Sequence, residues 1–401
     1  MTVTFQSLFQ QHFAAYAAKH RLSPDMHRAA WAIQNCRTRE LGGHVNSCPD
    51  GHFHQIAYNS CRHRCCPQCG WLTKTQWLDG WKQRLLPCPH HHVIFTLPHQ
   101  LNVLWRFNRA ELANVLFAAA SQTLTELLAD PKYLGGRVGI LAALHTWNQK
   151  LEPHIHLHTI VTAGGWHPEQ QWLSPKKSCL LPRKVLMIKF RGKFTAMLRD
   201  QVRRGKFRLP PGMTQAALEQ SMQQLKRIPW NVKVYPAYRD GLSVATYLAR
   251  YIKGGPLGNS RLLSVEHDQV RFRYRLSRGE GGDGKRQGIE SLPIETLIGR
   301  WLQHVPPRRF RMIRGYGLYS GNQHSRLGEA AEALGVERED GVPAAPSRSW
   351  QDWCEEAGMT AACHCPKCGK RLVSHHEFGS GRAPPLAAFS YREEMKPARI
   401  A

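Results

Sequence analysis

Three histidines spaced two residues apart, His154, His156 and His158, lie in a run of otherwise apolar and β-branched residues that ends at Gly164 and Gly165. Period-two alternation predicts a strand, and on a strand all three imidazoles project from one face, with Ile160 the apolar residue that continues it. Burying imidazoles without partners is unfavourable, so such a face is either wet or built around a shared ligand. A divalent metal ion is the simplest shared ligand for several neutral imidazoles. A second candidate set is Tyr247 and Tyr251, inside the segment Ser243 to Pro256. Ser243 is a suitable N-cap and Gly254, Gly255 and Pro256 stop the helix, so the i, i+4 spacing puts both phenols on one helical face. Phenol oxygens are latent nucleophiles when their setting activates them.

Cysteine supplies the third set. The chain has 12 cysteines, ten of them in two clusters, Cys36 to Cys69 and Cys354 to Cys368, each containing Cys-Pro-x-Cys-Gly. Two thiolates at that spacing on a tight turn converge on one tetrahedral zinc ion. In the first cluster eight residues compete for the positions: Cys36, His44, Cys48, His52, Cys61, Cys65, Cys66 and Cys69. Cys66 and Cys69 are the firmest half-site, and one or two zinc ions are compatible with the count. In the second, Cys365 and Cys368 form the knuckle, with Cys363, Cys354, His375 and His376 as candidates to complete it. These ions are structural, because no histidine-rich open site with a general-base carboxylate accompanies them.

Taken together these features resemble the HUH nucleases, in which a His-hydrophobic-His strand holds a divalent metal ion opposite a helix with one or two nucleophilic tyrosines. Among them the chain is most similar to the two-tyrosine rolling-circle transposases of bacterial insertion sequences that carry an N-terminal zinc-binding domain. The similarity rests on Gly42 to His44, Ile56 to Cys61, Cys66 to Cys69, His92 to Pro98, the histidine strand, Tyr247 to Tyr251 and Ile313 to Gly317, in that order along the chain. It departs from the family pattern at Gly51, where a second Cys-x2-Cys begun at Cys48 would need a cysteine.

The resemblance implies that His156 and His158 are the metal pair, since the residues after them align best that way. His154 is then either a third ligand or a hydrogen-bond donor behind the ligands. His92, at the start of what would be the first catalytic strand, is either a surface histidine or a third ligand. Implied too are Mg²⁺ or Mn²⁺ as the working ion and metal-dependent cleavage of single-stranded DNA at transposon ends and target. The strands would be rejoined through a 5′-phosphotyrosine intermediate on Tyr247 or Tyr251. A replication initiator or relaxase shares the chemistry but not the N-terminal zinc cluster and basic tail. A non-catalytic zinc-finger protein leaves the histidines and tyrosines idle.

The elements that must position these groups follow from pattern. The expected fold is α+β: an HUH-type antiparallel sheet with flanking helices, ferredoxin- or palm-like, a helical N-terminal zinc-binding domain and a small C-terminal zinc knuckle. Helices are predicted over Phe5 to Lys19 and Met26 to Cys36, with Ser23-Pro24-Asp25 starting the latter, then over Trp71 to Leu86, Leu101 to Leu128 and Ile294 to Val305. Strands are predicted over Val93 to Leu97 and Val138 to Trp147, the latter an antiparallel neighbour of the histidine strand. Gln269 to Leu276 alternates strictly, which puts Arg271, Arg273 and Arg275 on one face. Domain limits are expected at 1–86, 87–325 with a basic helical insertion at about 174–233, and 326–401.

Charge names the class of partner. With 55 Lys and Arg against 29 Asp and Glu, the formal charge is +26 and the isoelectric point about 10.0. A chain so basic suits a polyanion, and the absence of a signal-peptide pattern or a long apolar run favours nucleic acid over a membrane. A cytoplasmic bacterial location on DNA is expected, with Arg250, Lys253, Arg271, Arg273 and Arg275 as phosphate contacts. No Gly-x4-Gly-Lys-Ser/Thr occurs, so no nucleoside triphosphate site is expected.

Overall fold

The computed structural model describes residues 3–169, 171–175, 180–239, 254–276, 286–336 and 348–382, together with Leu242, Ala245, Thr246 and Ala249. In chain order the elements are α1 (Phe5–Lys19), α2 (Pro24–Asn35), β1 (Gly43–Ser47), β2 (His54–Tyr58), α3 (Trp71–Lys82), β3 (His90–Thr96), α4 (Asn102–Phe107), α5 (Arg109–Ala129), β4 (Gly139–Trp147) and β5 (Pro153–Thr162). There follow β6 (Gly165–His167), β7 (Gln171–Leu173), α6 (Arg183–Arg203), α7 (Gln215–Arg227), β8 (Asn231–Val234), β9 (Leu262–Glu266), β10 (Gln269–Arg275) and β11 (Gln287–Pro293). The last are α8 (Ile294–Leu302), β12 (Ile313–Gly317), α9 (His324–Glu332), α10 (Trp350–Glu356) and β13 (Val373–Phe378). The fold is α+β with antiparallel sheets and flanking helices.

Two compact units divide the chain: Met1–Gln76 with Lys253–Val305 and Ala344–Ala401, and Trp77–Ile252 with Pro306–Pro343. This differs from three consecutive domains, and the reason is pairing between distant segments. Strand β13 pairs antiparallel with β1, Val45 opposite His375 and Ser47 opposite Val373. Helix α1 presents Phe5 and Phe9 to Trp301 of α8, ring centroids 6.1 and 5.4 Å apart. Local signals explain the helices: Thr4 and Ser7 form a capping box for α1, and Ser23 caps α2 with Pro24 in its first turn. In the same unit β9, β10 and β11 make a meander, where Val270 and Phe272 are buried while Arg271, Arg273 and Arg275 are exposed.

The second unit holds a five-stranded antiparallel sheet in the order β12-β4-β5-β3-β8. Its centre is β5, flanked by β4 and β3. On one face Val93, Phe95, Ile140, Ala142, Leu144, Ile155, Leu157 and Val161 pack against α5, α6 and α7. Helix α5 is long and apolar enough to cross a membrane, yet most of its residues are buried in this core. On the other face Leu141, Ala143 and Ile160 join Trp81, Leu318, Tyr319 and Ala245 in a smaller cluster. The histidines lie on that second face.

Candidate metal centres and the histidine face

Register decides which imidazoles meet. His156 on β5 stands directly opposite His145 on β4 and Thr96 on β3, and His158 stands opposite Ala143 and Ile94. Because facing residues share a face of the sheet, His145 joins the β5 histidines there. The ligand nitrogens of His145, His156 and His158 all lie within 4.8 Å of one another. The rings of His145 and His158 are 4.2 Å apart and those of His156 and His158 are 4.7 Å apart, centroid to centroid. His145 and His158 are buried, and His156, half-buried as a residue, has its ring desolvated with theirs.

His145 is missed by the sequence reading because its neighbours, Leu144 and Thr146, carry no His-x-His pattern; its only signal is a position on the expected neighbouring strand. His154 is exposed and falls outside the three-histidine set, its ring 4.8 Å from that of His156. Instead its backbone carbonyl accepts a hydrogen bond from His156 Nδ1 at 2.7 Å. His92 is neither at the surface nor in the set. It is buried on β3, diagonal to His158, with Nε2 2.8 Å from His158 Nδ1, and Tyr235 stacks on its ring at 5.2 Å.

Burial keeps these rings neutral. Desolvation holds His156 down to about 3 and His92 down to about 4. It holds His145 and His158 well below the usual histidine range, the neighbouring imidazoles adding to the effect. Neutral imidazoles have a lone pair to donate without first losing a proton, which suits a metal ion. Three nitrogen donors on two adjacent strands, with no fourth ligand joining them among the described residues, match an open rather than a closed coordination sphere.

The thiol clusters are of the closed kind. Cys36 at the end of α2, Cys61 after β2, and Cys66 and Cys69 before α3 bring their sulfurs within 4.8 Å of one another, with Cys61 and Cys69 3.6 Å apart. Hydrogen bonds from Cys36, Cys61 and Cys66 lower the Cys69 thiol, as expected of sulfurs packed to share a cation. Four sulfurs at these separations fit a tetrahedral structural zinc.

Two of the eight residues singled out in the sequence take no part in either described thiol set. Cys65 is buried apart, its thiol pushed up to about 12 by desolvation, and His44 sits elsewhere on β1. Two more, Cys48 and His52, leave the first cluster and join Cys365 and Cys368 from the other end of the chain. Cys363, Cys354 and His375 are therefore not in that group. The Cys363 sulfur turns to the carbonyls of Met359 and Thr360, and His375 hydrogen-bonds Ser47 at 2.5 Å.

Tyr247, Tyr251, Arg250 and Lys253 lie outside the described residues. Of the tyrosine segment, Leu242, Ala245, Thr246 and Ala249 are helical, with Ala245 and Ala249 buried.

Comparison with known proteins turns this geometry into a family. Residues 8–97 match the family model Zn_Tnp_IS91, a transposase zinc-binding domain, and residues 139–326 match Y2_Tnp, described as "Putative transposase". The chain is 34 % identical over 392 residues to "Putative transposase y4qJ" of Sinorhizobium fredii, covering 94 % of this chain and 96 % of that one. The chain belongs to the IS91 family of rolling-circle transposases. The "Transposase for insertion sequence element IS801" of Pseudomonas savastanoi pv. phaseolicola is 31 % identical to the transposase over 291 residues, 70 % of this chain and 67 % of the relative. Among solved structures, the conjugative relaxase TrwC in complex with OriT DNA is similar over 40 % of this chain and 72 % of its own, at 15 % identity and a TM-score of 0.23. The transposase thus acts on DNA and carries a structural zinc-binding domain at its N-terminus.

Proposed function

We propose that the transposase cuts single-stranded DNA at transposon ends and target and rejoins it through a phosphotyrosine ester. In this reading Tyr247 and Tyr251 are the nucleophiles, and His145, His156 and His158 hold a divalent ion. The observation that supports it most is the composition of the histidine face. Ala245, two residues before Tyr247, is buried in the cluster that contains Ala143 and Ile160, the residues that extend the face beyond His158. That shared cluster supports a tyrosine helix on the histidine side of the sheet.

When bound, a divalent ion supplies Lewis-acid stabilisation of the charge that builds on the scissile phosphate. The chain's own residues do the rest. His156 Nδ1 donates to the His154 carbonyl and His158 Nδ1 is engaged by His92, which orients the Nε2 atoms of both rings toward the shared ligand. A phenol with an ordinary pKa of about 10 attacks phosphorus through its oxygen once it is held in line. The phosphorus–O3′ bond breaks, the 3′-oxygen leaves as a hydroxyl, and the 5′ end remains esterified to the tyrosine. Attack by another 3′-hydroxyl reverses the step and frees the phenol, so joining needs no nucleotide triphosphate. A second tyrosine one turn away lets one nucleophile stay loaded while the other works.

DNA is held by charge. The exposed Arg271, Arg273 and Arg275 of β10 and the Lys and Arg of α6 suit phosphate contacts that position a strand without reading its sequence. Mg²⁺ and Mn²⁺ are the working ions of this reading.

The test is covalent trapping. Labelled single-stranded transposon-end DNA, incubated with the protein and Mn²⁺, should remain attached on a denaturing gel. The Tyr247→Phe/Tyr251→Phe protein should give no adduct while keeping its fold. An adduct on that double variant would overturn the assignment. Tyr319 would not be its replacement, because its phenol is buried against His90 at 2.6 Å and the Leu86 amide at 3.1 Å.

A further inference from the structure

We infer that a second structural zinc ion clasps the C-terminal tail onto the N-terminal zinc-binding domain, held by Cys48, His52, Cys365 and Cys368. The match to a zinc-binding domain stops at residue 97, short of the two C-terminal cysteines. The four ligand atoms nonetheless lie within 4.8 Å of one another. Cys48 Sγ is 3.4 Å from Cys368 Sγ and 3.8 Å from His52 Nδ1. Ligands on a tetrahedral zinc with bonds of about 2.3 Å to sulfur and about 2.0 Å to nitrogen stand roughly 3.5–3.8 Å apart, so these separations need little adjustment.

Two tight turns, the first closed over three residues and the second over four, supply the ligands at this point. In the first, Gly51 N donates to Cys48 O at 2.9 Å and Cys48 N to Phe53 O at 2.8 Å. In the second, Gly369 N donates to Cys365 O at 2.9 Å and Cys365 N to Lys370 O at 2.8 Å. Both glycines have φ of +72°, a left-handed conformation that lets the chain double back beneath its ligand. Gly51 stands where a Cys-x2-Cys pattern would put a thiol, and His52 supplies the ligand one position later. Amides of Lys367 and Cys368 point at the Cys365 sulfur, as in a thiolate knuckle.

Among the described residues the apolar contacts that hold the tail at this end are few. The local apolar cluster is Cys48, Cys365 and Leu372, with Phe53 against it. The Lys370–Asp50 ion pair, 2.8 Å, joins two largely solvated side chains and contributes little. The β1–β13 ladder runs up to this point, with Ser47 opposite Val373. Cys48 follows the last residue of β1 and Leu372 precedes the first of β13, so an ion here closes the end of the ladder. A metal is the ordinary device where a core is too small to hold two segments.

The experiment is metal stoichiometry on the full-length protein in a His156→Ala/His158→Ala background, so that the histidine face contributes no ion. Zinc-replete protein should carry two zinc ions per chain. Cys365→Ser/Cys368→Ser should carry one, Cys48→Ser should carry one, and Cys363→Ser should keep two. His52 is exposed and its replacement burdens no core. His52→Cys should therefore keep two ions and, with Co²⁺ substituted, show a stronger thiolate charge-transfer band as three sulfurs become four. One zinc in the parent protein, an unchanged count in Cys365→Ser/Cys368→Ser, loss of an ion in Cys363→Ser, an unshifted cobalt spectrum in His52→Cys, or a Cys48–Cys368 disulfide in the parent protein would each overturn the inference.

Discussion

The histidine face of the central sheet and the four-thiol cage of the zinc-binding domain are built from opposite materials. The three imidazoles ride on β4 and β5, paired along most of their lengths, and their backbone would stay in place with no ion present. The four thiols come from a helix end and the loops around β2 and α3, where few backbone bonds hold the segments together. A preformed open set costs little to organise and leaves positions for a substrate oxygen, whereas a closed cage of loop-borne thiolates draws its order from the ion itself. In the proposed function, the difference separates a metal used for chemistry from one used for folding.

Each prediction presses on that contrast. The largest effect belongs to the cage: apparent zinc binding is worth about 10–16 kcal/mol, comparable with the whole stability of a domain, about 5–15 kcal/mol. Cys66→Ser/Cys69→Ser should therefore unfold the N-terminal unit, seen as loss of its cooperative thermal transition, and a wild-type-like melt would collapse the distinction. His156→Ala/His158→Ala should do the reverse. Cleavage should fall by more than the roughly 10- to 100-fold typical of losing a hydrogen-bond partner behind a ligand, while circular dichroism and DNA binding stay near the parent. Co-loss of folding would show the sheet is not preformed.

A single His145→Ala change should weaken Mn²⁺ activation in the same assay, raising the metal needed for half-maximal cleavage with little change in melting temperature. His92→Ala touches the set only through His158, so its effect should be smaller, roughly 10-fold in metal affinity; no change would mean the His92–His158 contact orients nothing. The pH profile of the metal-stripped protein sharpens the picture further. His92 and His156 bind protons far less readily folded than unfolded, so their neutral forms favour the folded state fully above about 6.5 and that contribution is lost as pH falls toward about 4 for His92 and about 3 for His156. Melting temperature should decline across that window, and His92→Ala/His156→Ala should flatten the decline. The imidazole set also predicts that Mn²⁺ sustains cleavage at lower concentration than Mg²⁺, since nitrogen donors suit the former better.

Much of the site is legible in short-range pattern. Alternation of two puts His156 and His158 on one face of a strand, and it puts Arg271, Arg273 and Arg275 on the exposed side of β10. Capping residues Thr4 and Ser23 mark the first two helices where they begin. These features depend on residues a few positions apart, and local backbone geometry alone relates them.

What only the tertiary structure decided lies between residues that no spacing connects. His145 joined the cluster of imidazoles because β4 pairs with β5 in a register that sets it opposite His156; a shift of one residue would turn it into the helix-covered core. His92 moved from a surface or ligand position to a buried one behind His158 for the same reason. Cys48 was separated from Cys66 and Cys69 and matched to Cys365 and Cys368 because β13 returns to pair with β1. Sequence determined which chemistries were available, since residue type and local period are properties of neighbours along the chain. Which groups share an ion was left to strand register and chain return, because coordination asks for atoms within a few ångströms in space and is indifferent to their distance in sequence.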